Sequence, residues 1–165
     1  LLHLAYALWI TRDPLGPAPI CRRIDGRAAS GSFQGLLGAL LVVSAIDLAR
    51  GEALLTEAIR RVPQPLPLFT HALAVSRFRQ SDLAGMGAAL ATSTARSDPL
   101  PIVLRMALAC RGGDIRFAHR LAAAAEDLLP DCRARCEGML RRLLHDDHVD
   151  ALAEALAPLE LGWFT

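Results

Sequence analysis

Residues 99–130 read PLPIVLRMALACRGGDIRFAHRLAAAAEDLLP, two helix-forming segments split by Arg111-Gly112-Gly113-Asp114 and fenced by proline at both ends. A glycine adopts the left-handed conformation that ends a helix, and an aspartate just after it accepts hydrogen bonds from the first free N–H groups of the next. Beyond Asp114, Ala118, Leu121, Ala122, Ala125, Leu128 and Leu129 follow the i, i+3, i+4, i+7 spacing of one apolar stripe, while Arg116, His119, Arg120 and Asp127 fall away from it. The alanines from Ala122 to Ala125 leave no bulk, so a neighbouring helix can come close. The stretch predicts two antiparallel helices joined by a tight turn.

The same design extends in both directions. Pro65-Leu66-Pro67-Leu68 recurs as Pro99-Leu100-Pro101-Ile102 at a spacing of 34. It predicts a hairpin of residues 68–79 and 83–96 about Gln80-Ser81-Asp82, although Gly85, Gly87 and Thr92-Ser93-Thr94 weaken the second helix. Residues 131–144 and 149–157 form a further unit turning through His145-Asp146-Asp147, with Asp147 as the expected cap. Upstream, residues 52–62 form an amphipathic helix in which Glu57 and Arg61 are an i, i+4 pair. Glu52, Asp82, Asp114 and Asp147 then stand as turn acids 30, 32 and 33 residues apart, the rhythm of stacked helical hairpins. Residues 28–46 carry no charge, but serines, Gln34 and three glycines dilute them, so a buried helix is expected rather than a membrane span of about 20 apolar residues. Residues 1–10 predict a short helix, and residues 14–27, with three prolines and two glycines, a loop with no regular helix. The expected division is an N-terminal helix and Pro-rich loop over 1–27 and a helical-hairpin domain over 28–165.

With 165 residues, 53% of them hydrophobic, the chain can bury one substantial core. Leu and Ala outnumber the β-branched and aromatic residues that a sheet uses, so the expected class is all-α. Its cations are all arginine and its formal net charge is +1, which argues against nucleic acid or an anionic membrane as partner. The chain starts within an apolar pattern at Leu1 and ends on Trp163-Phe164-Thr165. It is expected to be a piece of a longer protein, and no leader is read from it.

Gly113-Asp114, Ala118, Ala125 and Pro130 resemble the turn, the two small packing residues and the closing proline of a tetratricopeptide repeat, and Ala58 and Pro63 match the end of an earlier unit. The likeness covers about half the chain. The first helices lack that family's Trp and Tyr, Met106 stands where a small residue is usual, and residues 68–96 hardly match. The resemblance implies a right-handed array of stacked antiparallel hairpins that binds a peptide or protein.

Cys132-x3-Cys136 with His145-x2-His148 invites a zinc reading, but nine helical residues, about 13 Å, separate Cys136 from His145. Cys132, Cys136, Met139, Leu140 and Leu143 share one apolar stripe, so the thiols are expected in the core; no metal or cofactor is expected. Four scattered cysteines suit a reducing, cytoplasmic setting. There is no P-loop, G-x-G-x-x-G or G-x-S-x-G motif, no catalytic residue is assigned, and a binding role is favoured over an enzymatic one. Two classes of function fit: a protein-interaction module, or a helical accessory segment of a larger enzyme. Self-association is left open. For the module, His71 and Arg105, lone polar residues on apolar first helices and 34 apart, are expected on one side of the array, clamping a carboxylate of the partner.

Overall fold

In the computed structural model, residues 1–13, 15–24, 30–93, 98–128 and 131–162 are described. They form α1 (Leu2–Ile10), α2 (Ala18–Cys21), α3 (Gly31–Val43), α4 (Leu48–Arg61), α5 (Pro67–Arg79), α6 (Leu83–Ala91), α7 (Pro99–Arg111), α8 (Ile115–Leu128), α9 (Cys132–Leu143) and α10 (Asp146–Leu156), closed by a 3-10 turn at Ala157–Leu159. The fold is all-α, with no strand among the described residues. No helix is long and apolar enough to cross a membrane among those residues.

The turn between α7 and α8 forms as its sequence dictates. Gly113 takes φ +82°, and the Asp114 carboxylate accepts from the Phe117 N–H at 2.9 Å. Ala118, Ala122 and Ala125 are buried. Asp82 caps α6 in the same manner, accepting from the Gly85 N–H at 2.9 Å. Leu129 and Pro130, of the expected stripe and closing proline, and the Leu128 side chain lie outside the described part.

Four expected boundaries are corrected. Glu52 is not a turn acid: Asp47 caps α4, accepting from the Arg50 N–H at 2.9 Å, because the chain reverses one turn earlier, at Ala45 with φ +52°. Glu52 sits inside α4 and reaches α5 instead. At the last turn the cap is His145, whose Nδ1 accepts from the Asp147 N–H at 3.3 Å, so α10 starts at Asp146 rather than Val149. Within residues 14–27, expected to lack regular helix, Pro17 and Pro19 sit at the start of the four-residue α2, where a missing N–H costs nothing. The second helix of the 68–96 hairpin ends at Ala91; residues 94–97 lie outside the described part.

Helices adjacent in sequence pack together as pairs, α3 with α4, α5 with α6, α7 with α8, and α3, α5, α7 and α9 line up side by side. The charge-free α3 is buried along most of its length, and its glycines are its contact surface. A Cβ on Gly38 would lie 2.8 Å from the Gly51 carbonyl, and one on Gly35 would lie 2.3 Å from the Phe69 ring. Glycine lets the backbones of α3 and α4, and the ring from α5, approach that closely. A polar network joins α4, α5 and α6: Glu52 accepts from Ser76 Oγ at 3.0 Å and pairs with Arg77 at 2.8 Å, and Arg77 pairs with Asp82 at 2.8 Å. The Arg111 guanidinium lies 4.5 Å over the Phe78 ring, a cation–π link from α7 to α5.

The last helix departs from this order. α10 lies mainly along α7 and meets α5 and its own neighbour α9 only at the margin. Its first turn is tied to the C-terminal end of α3, where the His145 N–H donates to the Val43 carbonyl at 2.8 Å and His148 Nε2 donates to the Val42 carbonyl at 2.7 Å. α1 closes the same corner: Tyr6 Oη donates to the Leu36 carbonyl at 2.7 Å, and Arg12 donates to the Arg141 and Leu144 carbonyls at the end of α9.

Candidate functional site

The 34-residue spacing brings His71 and Arg105 to the same place, the C-terminal end of α6. His71 is 4% exposed and its Nε2 lies 2.6 Å from Ser93 Oγ. Arg105, half-buried on α7, donates from Nη2 to the Leu90 carbonyl at 3.3 Å. Burial holds the His71 imidazole below its ordinary pKa; the Asp98 carboxylate opposes this and the Arg105 cation adds to it. His71 is therefore a neutral ring at physiological pH.

Between α6 and α7 a cavity of about 380 Å³ is lined by Gly87, Leu90, Ala91, Ser93, Arg105 and Leu108. Arg105 and Ser93 supply a guanidinium and a hydroxyl to its wall, which is more polar than apolar. Arg105 uses one of five N–H donors, in a long bond to a carbonyl, and its planar fork is shaped for the two oxygens of a carboxylate. Ser93 is 6% exposed, and His71 behind it sets the direction of its hydroxyl. His71 thus reaches the cavity through Ser93 rather than by its own ring. Ser93 was not found from the sequence: it lies 22 residues from His71, in a Thr-Ser-Thr run whose only legible meaning is a weak helix.

The cysteines and histidines of the zinc reading lie apart in purpose. Cys132 and Cys136 are buried with their sulfurs 3.4 Å apart, whereas His145 caps α10 and His148 is bonded to α3. Burial, and then the neighbouring Cys132 thiol, push Cys136 up to about 12. Among the described residues no three His, Cys, Asp or Glu side chains come together to hold a metal ion. No protein-family model matches the chain, and comparisons with curated proteins and with solved structures give no match.

Proposed function

We propose that this chain is a protein-interaction module, a tetratricopeptide-like right-handed array of antiparallel hairpins in which Arg105 receives a carboxylate of the bound partner. The observation that carries this reading is the half-buried guanidinium in the wall of the cavity between α6 and α7, with most of its donors free of protein acceptors among the described residues. Leu90 and Leu108 supply apolar contact beside it, and Ser93, oriented by His71, offers a further hydrogen bond. A carboxylate held by the fork gains charge-assisted, two-point recognition.

Display of a random peptide library with free or amidated C-termini tests this reading. Selected peptides should lose affinity on Arg105→Ala by ~1.5–3 kcal/mol, the scale of a hydrogen bond to a charged group, with the melting temperature nearly unchanged. Arg105→Lys should restore only part of the loss, because an ammonium lacks the planar fork. Unchanged affinity with a lowered melting temperature would assign Arg105 to packing.

A further inference from the structure

The C-terminal end of α6 separates two cavities. Ser93 lines the Arg105 cavity, and its neighbour Thr92 lines a second one, of about 530 Å³, between α6, the start of α5 and the end of α4. Ile59, Pro63, Pro65, Leu66 and Pro67 make up most of this second wall, which is more apolar than polar. Its hydroxyls offer little to a ligand. Thr70 Oγ1 donates to the Pro67 carbonyl at 2.9 Å and Thr92 Oγ1 to the Ala89 carbonyl at 2.8 Å, so both protons are spent within the chain. The three prolines carry no N–H, and no charged side chain lines this cavity among the described residues. The wall is also preformed: proline rings fix the backbone on both sides of Leu66, which is itself extended at φ −59°, ψ 141°. Leu66 is 50% exposed, apolar surface left in water. One side of Thr92-Ser93 therefore holds a cation with donors to spare, and the other a rigid apolar recess.

We propose that the second cavity is an apolar subsite of the same binding surface, and that its occupant is an extended peptide whose free C-terminal carboxylate sits on Arg105 while a large apolar side chain, one to three residues earlier, fills the recess. The inference rests on the carboxylate reading of Arg105. An extended chain advances about 3.3 Å per residue, so a few residues span two cavities set on either side of one peptide unit. A chain that ends at Arg105 has to leave that cavity on one side only, and crossing Thr92-Ser93 brings it to the prolines. The recess supplies what the guanidinium alone cannot. Every chain terminus offers the fork the same carboxylate, whereas an apolar pocket selects by the side chain that precedes it. Asp98, whose charge reaches the His71 ring, disfavours a second acid near the terminus.

The test uses the whole chain and fluorescein-labelled hexapeptides of glycine and serine, without leucine or with one leucine second, third or fourth from the C-terminus, each in free and amidated form. In fluorescence polarisation one leucine position should strengthen binding of the free peptide at least tenfold over the leucine-free peptide, the scale of burying one such side chain. Leu66→Asp puts a carboxylate at the recess and at the N-cap of α5, where aspartate is a preferred residue and the fold is kept; in that variant the leucine gain should fall below twofold. A gain that Leu66→Asp leaves in place puts the side chain elsewhere and overturns the inference. Loss of affinity on amidation with no preferred leucine position overturns it and spares the carboxylate reading, whereas equal binding of free and amidated peptides overturns the carboxylate reading and this inference with it. No binding by any peptide at about 1 mM chain overturns both.

Discussion

Between α3 and α4 the backbones meet at Gly38 and Gly51, with no side chain in the way, whereas α10 lays a buried side-chain stripe mainly along α7, meets α5 and α9 only at its margins, and is tied to the ends of α3 and α5 by a few polar bonds. The first arrangement is fixed by shape: it has one register, and any added atom disturbs it. The second is fixed by a buried side-chain stripe together with polar bonds at one end, and tolerates change on its outward, acidic side. A body of closely packed helix pairs, with a closing helix bonded across long stretches of chain, follows from that contrast.

The contrast is sharpest in glycine substitutions. Gly35→Ala drives a methyl into the Phe69 ring and should cost on the order of 3 kcal/mol, the upper part of the overpacking range. Gly138→Ala, in α9, meets nothing within 4 Å and should stabilise by about 0.5–1 kcal/mol through helix propensity alone. Urea denaturation of both variants checks this, and equal effects would erase the distinction. Next in size is Glu52→Ala, which removes the acceptor shared by Ser76 and Arg77. The expected loss is about 1.5 kcal/mol, the low end for bonds to a charged group because Arg77 is partly solvent-screened.

Acid should act on both halves, through His71 in the body and His148 at the closure. Burial holds both imidazoles below their ordinary pKa; at His148 the Val42 hydrogen bond and Asp147 oppose this, while Arg79 and His145 add to it. A depressed histidine contributes stability that is fully present above its unfolded pKa, about 6.5, and is lost as pH falls toward the folded value, because the unfolded chain binds more protons there. From pH 7.5 to 5.5 the wild-type chain should lose stability, by at most about 1.4 kcal/mol per histidine for each pH unit below 6.5. His148→Gln should flatten this slope more for α10 exchange than for α5 exchange. The smallest effect concerns Cys136, whose thiol, pushed up to about 12, should resist iodoacetamide at pH 8 until the chain unfolds, as mass spectrometry of native and urea-treated protein would record.

Local chemistry made much of this legible in advance. The Gly113-Asp114 turn, the alanine stripe of α8 and the buried Cys132 and Cys136 follow from spacing and propensity within one or two helices. The repeated Pro-Leu-Pro lead-in brings His71 and Arg105 to the same end of α6, but His71 is 4% exposed and does not project beside Arg105 as expected. Other features depend on what lies opposite. Gly35 and Gly38 look like dilution of an apolar helix until the backbone of α4 and the Phe69 ring are placed against them. Glu52 suits a turn by its spacing, yet its partners Ser76 and Arg77 are on the next helix. Ser93 has no periodic relation to His71, and nothing within residues 146–156 says that their apolar side turns mainly to α7, with α5 and α9 at its margins.

The bonds that fasten the closing corner span 106, 129 and 132 residues of chain, while those of the α7–α8 turn span 3. Closing so long a loop costs entropy that only the finished contacts recover. The hairpins should therefore assemble first and α10 dock last, after the folding transition state, so that Leu152→Ala quickens unfolding and leaves the refolding rate nearly unchanged in stopped-flow kinetics.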